Sequence, residues 1–303
     1  MYTLFLSFAV YLSIFLLGIA YLRYGCSGIT QPLVKEIEKH QTILNGLWLG
    51  FFLTLLLQSS SASIALFIIF FASTSLSIPF IISYLIGANV ATTITSQLFV
   101  WNDQTLMFIC LLAGLILIFN KRNIIHWVGA ILLGLGVIYS SLLGFRSLSI
   151  FLDNPLVEQS LLSGQPLIQI ITGILITSIV QSSTVLTGIL MSINDGTGLS
   201  LVHIYYLLLG ANIGTCISVW IVTLTQPSHT RIIAYAHILM NIIGAFIAYP
   251  AIVSGFIIQW SESITSSTDQ QIVYISFLYN LFTGLIFLIF IKPISRTLGL
   301  LRR

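Results

Sequence analysis

The sequence predicts an all-α polytopic membrane protein with two inverted-topology repeats and about seven full spans. The 303 residues are 57% hydrophobic and only 6% charged, whereas soluble domains carry roughly 25% charged residues. The apolar runs are long and continuous, as spanning helices require, and lack the short alternating pattern of membrane-barrel strands. Inside these runs a polar motif occurs twice at a constant spacing, which indicates a duplicated unit.

The duplicated unit is marked by the tetrapeptides Gln58-Ser59-Ser60-Ser61 and Gln181-Ser182-Ser183-Thr184. A second polar island follows each one, Gly87–Thr93 in the first unit and Gly210–Cys216 in the second. Equivalent positions are separated by 123 residues, as from 58 to 181 and from 89 to 212, without gaps. The same offset relates Arg23 to Arg146, Gly50 to Gly173, and Thr54 to Thr177. We therefore expect polar groups at equivalent buried places in two repeats.

Seven apolar stretches are candidates for full spans. They are Tyr2–Leu22, Ile78–Val100, Gln104–Phe119, Ile124–Gly144, Leu199–Leu224, Arg231–Pro250 and Gln271–Ile291. We expect the second and the fifth to be broken at the Gly-Ala-Asn islands. The first lacks a basic start and a convincing cleavage site, so we interpret it as a retained helix and not a signal peptide.

Two pairs of short apolar arms flank the tetrapeptides. The arms are Gly46–Leu57 and Ala62–Ala72 in the first unit, and Pro166–Val180 and Val185–Ile193 in the second. Each arm is too short to cross roughly 30 Å of hydrocarbon at about 1.5 Å per residue. Each pair is therefore either one broken helix or a re-entrant hairpin that turns at the tetrapeptide.

The charges of the loops favour hairpins. With two hairpins, one side holds the basic groups Arg23, Lys35, Lys39, Lys121, Arg122, Arg231 and the C-terminus. The opposite side then holds Asp103, Asp153, Glu158, Asp195, Glu262 and Asp269, with Arg146 as its one base. This distribution satisfies the positive-inside rule for a cell-membrane protein with a cytoplasmic C-terminus. Single broken spans would lose the separation.

Three full crossings then lie between the hairpins, and an odd number turns the second unit upside down. Inverted repeats are typical of secondary transporters that work by alternating access. We predict a first repeat at residues 1–122, with helix 1, hairpin 1 and helices 2 and 3. The second repeat covers residues 123–250, and residues 251–303 form an outer loop, the last helix and a basic cytoplasmic tail.

A hairpin that turns at membrane depth places the start of its second arm, with free N–H groups and a positive dipole end, at the tip. An anion can bind there, assisted by serine hydroxyls. Carbonyls freed at the islands suit a small cation such as Na⁺. The tetrapeptides and islands contain no Arg, Lys, Asp or Glu. This inventory favours coupled cation and anion transport over the alternative, in which small residues only serve close helix packing.

At these residues the chain resembles the sodium/phosphate cotransporter family, the type II group with its bacterial relatives. The segment Arg231-Ile-Ile-Ala-Tyr-Ala-His237-Ile-Leu-Met-Asn241 is similar to the Ala-His-x-x-Phe-Asn signature of bacterial members. The resemblance implies symport of inorganic phosphate with Na⁺, which is cargo and not a cofactor. It implies phosphate ligands at Gln58, Ser59, Ser60, Ser61, Gln181, Ser182, Ser183 and Thr184. It implies Na⁺ ligands at Gln58, Asn89, Thr92, Thr93, Gln181, Asn212 and Thr215, with no other metal.

The chain departs from the family pattern in three places. Thr184 replaces a fourth serine, Ser276-Phe-Leu-Tyr-Asn280 lacks the histidine of a second signature, and the cytosolic helical domain of many bacterial relatives is not expected after Arg303. His237 and Asn241 are expected either to support the site, with His237 as a proton carrier, or to form a hydrogen-bonded packing pair. The cysteines Cys26, Cys110 and Cys216 have no metal-ligand or pairing pattern and are expected to be small core residues.

An enzyme is not expected, because no Ser-His-acid set, metal cluster or Gly-x-Ser-x-Gly elbow is recognisable. The expected partners are phosphate, Na⁺ and the lipid bilayer, without nucleic acid, and a homodimer is left open. Two alternatives also stay open. The same fold can transport another oxyanion or export phosphate, or the chain can be a membrane subunit that binds phosphate without transport.

Overall fold

The computed structural model describes residues 2–37, 41–70, 76–100, 104–147, 165–197 and 199–300. In these ranges the chain is helical and has no strand. The helices are α1 (Tyr2–Ile37), α2 (Ile43–Leu57), α3 (Ser60–Phe70), α4 (Ile78–Val100), α5 (Gln104–Leu117), α6 (Asn123–Ser147), α7 (Pro166–Val180), α8 (Ser183–Thr197), α9 (Leu201–Leu224), α10 (Arg231–Ala248), α11 (Ala251–Ile264), α12 (Thr268–Ile289) and α13 (Ile291–Leu300). A 3₁₀ turn, Ser228–Thr230, precedes α10.

Five described segments are long and apolar enough to cross a membrane: α4, α6, α9, α12, and Ser228–Ala248, which contains α10. Two shorter apolar helices, Leu6–Leu22 within α1 and α5, occupy the places of the remaining predicted spans. The chain is thus an all-α multi-pass membrane protein, as its composition predicts. Helix α1 continues to Ile37, so its predicted end at Leu22 is wrong.

The two pairs of short arms form two bent helix pairs, here called hairpin 1 (α2 and α3) and hairpin 2 (α7 and α8). Each pair is bent by 118° at its tetrapeptide. The predicted turns are therefore confirmed, and the bends are equal in the two repeats. We call residues 58–61 tip 1 and residues 181–184 tip 2.

The predicted breaks at the Gly-Ala-Asn islands are wrong, because α4 and α9 run without interruption through Gly87 and Gly210. A glycine inside a helix costs roughly 1 kcal/mol relative to alanine. Here that cost is offset by packing: Gly87 lies against the carbonyl of Leu47 in α2, and Gly210 against that of Ile170 in α7. The islands serve close helix approach, and their carbonyls are not freed by a helix break.

The close approach is itself repeated at the 123-residue offset. Gly50 of α2 lies against the backbone of Tyr84 in α4, and Gly173 of α7 lies against that of Leu207 in α9. In both repeats no side chain larger than hydrogen fits between the first hairpin arm and the long helix that follows the hairpin. This contact fixes each tip relative to a spanning helix.

The segment predicted as an outer loop contains α11, and the predicted tail contains α13. Pro250 is the N-cap residue of α11 and ends the apolar run of α10. On α13, Ile291 and Leu298 are buried, whereas Lys292 and Arg296 are exposed. The basic end of the chain is therefore an amphipathic helix within the described part.

Candidate functional site

The two tips line one cavity of about 340 Å³. Gln58, Ser59 and Ser61 reach it from tip 1, and Gln181 and Ser182 reach it from tip 2. The remaining lining residues are uncharged: Leu16, Ile19, Ala62, Ala65, Val180, Val185, Ser218, Ile221 and Val222. The prediction that the duplicated tetrapeptides meet is therefore consistent with the geometry, and the described lining residues carry no formal charge.

Both tips turn on a glutamine in the left-handed conformation. Gln58 has φ 52° and Gln181 has φ 59°, and no other non-glycine residue in the described ranges has a positive φ. Such a conformation costs roughly 1–3 kcal/mol for a residue with a side chain. Glycine would avoid this cost, so a glutamine at both turns indicates that the side chain is required there.

Each tip also starts the second arm of its hairpin. The Ser59 hydroxyl accepts a hydrogen bond from the backbone N–H of Ala62 (3.2 Å), and the Ser182 hydroxyl accepts from that of Val185 (3.3 Å). These serines are N-caps. The N–H groups at the first two helical positions, including those of Ser60 and Ser183, have no intrahelical acceptor. Both arms thus present N–H groups and a positive dipole end at the tips.

Buried hydroxyls without partners are repeated as well. Among the described residues, Ser61 Oγ and Thr184 Oγ1 have no hydrogen-bond partner, and the same holds for Thr54 Oγ1 and Thr177 Oγ1. A buried polar group left unsatisfied costs roughly 1–3 kcal/mol. Each pair is related by 123 residues, so the same hydroxyls are unpartnered in both repeats. Such groups are expected to find partners in a ligand, an ion or water.

The predicted phosphate ligands all lie in the two tips, but they are not equally placed. Five of them line the cavity, whereas Ser60, Ser183 and Thr184 are buried in the first turns of α3 and α8. The tips also differ in exposure, since Gln58 is 4% exposed and Gln181 is among the exposed residues.

The predicted Na⁺ ligands of the islands lie on α4 and α9 and do not line this cavity. Their hydroxyls donate within their own helices, from Thr92 to the Ala88 carbonyl (3.0 Å), from Thr93 to that of Val90 (2.7 Å) and from Thr215 to that of Asn212 (2.7 Å). A hydroxyl that donates in this way keeps lone pairs for a cation. Asn89 is half-buried, and the Asn212 amide donates to the Leu208 carbonyl (2.9 Å).

His237 and Asn241 are buried on α10, away from the cavity. The Asn241 amide donates to the His237 carbonyl (3.0 Å) and to Cys216 Sγ (3.3 Å), so the pair is joined through the backbone of His237. Neither ring nitrogen of His237 has a partner.

Cys110 and Cys216 are buried free thiols, as expected of core residues, while the Cys26 side chain lies outside the described part. No metal-binding group of His, Cys, Asp and Glu occurs among the described residues.

The lining residues of α1 and α9 were not predicted. Leu16, Ile19, Ile221 and Val222 are apolar within apolar helices, so composition gives no signal for them. Ser218 follows Thr215 by three residues, which places it on the same helix face as the island. That spacing is the one signal from which its position could have been found.

Comparison with known proteins gives the family. The Na⁺/Pi-cotransporter family model matches residues 14–147 and again residues 158–289. The uncharacterized protein YqeW of Bacillus subtilis (strain 168) is 28% identical over 298 residues, which cover 93% of each chain. No solved structure matches. Since the family model covers most of the chain in two copies, which agrees with the internal repeat, the chain belongs to the Na⁺/Pi-cotransporter family.

Proposed function

We propose that this protein is a secondary active transporter that moves inorganic phosphate together with Na⁺ by alternating access. The observation that carries the proposal is the shared cavity, because both tips reach it with hydroxyls and glutamine side chains. A volume of about 340 Å³ is large beside the roughly 30 Å³ that one water takes in the liquid. The cavity therefore has room for a hydrated oxyanion.

Among the described lining residues, the groups that would hold the anion are neutral. The serine hydroxyls of the tips and the free N–H groups of α3 and α8 donate to its oxygens, and two helix dipoles favour its charge. The described lining residues include no Lys or Arg, so the charge that the dipoles leave uncompensated would be offset by a co-bound cation. This requirement supports Na⁺-coupled symport over an uncoupled anion site.

The Na⁺ ligands would be side-chain oxygens. Because α4 and α9 are unbroken, their island carbonyls stay in helical hydrogen bonds. We assign the ligand role to the amide oxygens of Asn89 and Asn212 and to the lone pairs of the neighbouring threonines, which suit a hard cation. Thr177 packs against Gly214 of the second island, with its Cβ 3.0 Å from the place of an added Cβ. This contact lies one turn before Gln181 and links the island to tip 2.

The proposed topology is inverted. A bend of 118° exceeds a right angle, so the second arm of each pair heads back toward the side where the first arm began. With re-entrant hairpins the basic loops share one side, which the positive-inside rule places in the cytoplasm of the cell membrane, together with the C-terminus. Alternating access then follows from exchange of the two repeat conformations.

Uptake of labelled phosphate into proteoliposomes tests this function. We expect accumulation with an inward Na⁺ gradient and none with a K⁺ gradient of equal size. Preference for sulfate or arsenate over phosphate would assign another oxyanion. Saturable phosphate binding without flux under any gradient would contradict transport and indicate a binding subunit.

A further inference from the structure

We infer that the cavity opens toward the basic side of the protein, and that a packed cluster on α1, α4 and α6 closes the equivalent passage on the other side. This inference rests on the proposed transport function. The cluster, here called the gate, consists of Phe15, Leu98, Phe99, Tyr139 and Leu142.

The repeat offset identifies four of the five gate residues, and Phe15 is added because its ring packs against Phe99. Beside the tips, the cavity has a wall formed by Leu16, Ile19, Ala65, Ser218, Ile221 and Val222. If the two repeats were in the same conformation, the positions 123 residues away would line a second passage. Those positions are Tyr139, Leu142, Gly188, Thr95, Leu98 and Phe99, in the same order. None of them lines the cavity.

These counterparts instead pack on one another. The Tyr139 hydroxyl donates to the Leu98 carbonyl (2.8 Å), which joins α6 to α4. The rings of Phe15 and Phe99 meet edge to face with centroids 5.5 Å apart. Such pairs stabilise a packed core beyond their buried area. The second passage is therefore filled by side chains that contact each other across three helices.

Gly188 shows how tightly the gate is filled. A Cβ at this position would lie 3.3 Å from atoms of Phe15, Phe99 and Leu142 at once. Its counterpart on hairpin 1, Ala65, has a side chain and faces the open cavity. Phe15, Phe99 and Leu142 thus surround the position that a methyl group at residue 188 would occupy.

Side-chain exposure confirms the difference between the two passages. Leu16 is 42% exposed, and its counterpart Tyr139 is 2% exposed. Val222 is half-buried, and its counterpart Phe99 is 1% exposed. Ser218 is also half-buried, whereas Thr95 is 1% exposed. At these three places the residue of the open wall is more accessible than its counterpart in or beside the gate.

The open wall lies toward the basic ends of its helices. Leu16 and Ile19 precede Arg23 in the sequence, and Val222 is followed by Arg231 after the end of α9. The gate residue Phe99 precedes Asp103 instead, while Tyr139 and Leu142 precede Arg146, the one base predicted on that side. In the proposed topology the cavity is therefore open to the cytoplasm. The opposite state requires Phe99 to separate from Phe15 and Tyr139 to release Leu98, while Leu16 and Ser218 become buried.

Labelling of two matched cysteines by a membrane-impermeant maleimide tests the gate. The variants are Ser218→Cys in the wall and Thr95→Cys beside the gate, in a chain with Cys26→Ser, Cys110→Ala and Cys216→Ala. Without substrate we expect Ser218→Cys to react at least tenfold faster from the cytoplasmic face, in inside-out vesicles, than from the outer face of intact cells. We expect Thr95→Cys to be protected from both faces.

Loosening the gate supplies the second half of the test. Phe99→Ala, with Phe99→Leu as a volume-retaining control, is expected to make Thr95→Cys reactive from the outer face by at least tenfold. The inference is overturned if Thr95→Cys reacts as fast as Ser218→Cys in the chain with Phe99, or if Phe99→Ala leaves its protection unchanged. If the cysteine-free chain does not assemble, the same variants are compared in the natural background, where Cys110 and Cys216 are buried and the unsubstituted chain is the blank.

Phosphate uptake by the same variants separates the two proposals. Sided labelling together with no Na⁺-driven uptake would retain the gate and reject the transport function. Uptake together with equal labelling from both faces would reject the gate and retain the transport function.

Discussion

Gln58 and Gln181 adopt the same left-handed backbone conformation, with φ and ψ of 52° and 28° in one and 59° and 23° in the other. Both end the first arm of a hairpin, and both line the shared cavity. The Gln58 amide N–H donates to the Leu55 carbonyl, and its buried amide oxygen has no partner in the described part of the chain. A strained turn that is repeated with the same side chain in two repeats supports a role of the glutamines in binding beside this local hydrogen bond.

This strain predicts a difference between two small substitutions at each turn. Gln58→Ala keeps the left-handed strain, whereas Gln58→Gly removes it, so the glycine variant should be more stable by about 1–2 kcal/mol. Both variants lose the amide and should bind phosphate more weakly. Thermal unfolding in detergent and phosphate binding measure the two effects, and the same pair of substitutions at Gln181 is the replicate. Equal stability of the Ala and Gly variants would show that the turn is not strained.

The unpartnered hydroxyls predict where binding energy is lost. Ser61→Ala and Thr184→Val each remove a hydroxyl that has no protein partner, so neither change breaks a hydrogen bond of the fold. If each hydroxyl donates to the anion, its loss costs about 1.5–3 kcal/mol, or roughly 10- to 150-fold in phosphate affinity. Ser60→Ala and Ser183→Ala should also weaken binding.

The control for these variants is Ser192→Ala on α8. Its hydroxyl donates to the Gly188 carbonyl (2.9 Å) and is outside the cavity. Isothermal titration with phosphate at constant Na⁺ gives the affinities. Wild-type affinity in both the Ser61 and the Thr184 variants would contradict the assignment of the tips.

The close helix crossings predict a loss of stability at the glycines of the repeats. Gly50→Ala and Gly173→Ala each place a methyl group against a backbone carbonyl, and overpacking of this kind costs typically about 1–3 kcal/mol. Gly255→Ala on α11 is the matched control, because nothing lies within 4 Å of its added Cβ. It should be neutral or stabilising, since alanine favours a helix. Detergent-unfolding curves compare the three, and similar curves for all would refute the tight crossings.

The islands predict a selective effect on Na⁺. Asn89→Ala and Asn212→Ala each remove an amide oxygen of the kind that a hard cation prefers. We expect a higher Na⁺ concentration for half-maximal uptake, with a smaller change in the maximal rate at saturating Na⁺. Ser218→Ala, on the cavity face of α9, should change phosphate affinity more than the Na⁺ titration. An unaltered Na⁺ titration in both asparagine variants would count against their role.

Much of the fold was predictable because the repeat leaves a sequence signal independent of hydropathy. The fixed offset locates both tips, and the short arms can only turn there. The Gly-Ala-Asn islands misled the prediction because glycine and asparagine favour helix ends. In α4 and α9 the glycines instead admit the backbones of α2 and α7, and this tertiary contact offsets their low helix propensity.

The cavity walls were not predictable for a different reason. Leu16 and Val222 line the cavity, whereas their larger counterparts Tyr139 and Phe99 are buried and do not line it. The 123-residue offset relates the two members of each pair equally, so it does not indicate which of them lines a cavity.

Helix α11 was missed because Ala251–Ile264 mixes polar and apolar residues and is too short to span.

The central claim is that the two tips hold the same phosphate ion. The most direct measurement is equilibrium binding of labelled phosphate to the purified protein, with its stoichiometry, for the unsubstituted chain and for the single variants Ser61→Ala and Thr184→Val. We predict one phosphate per chain and a weakened single site in each variant. Two phosphates per chain, or one site of unchanged affinity in both variants, would contradict the claim.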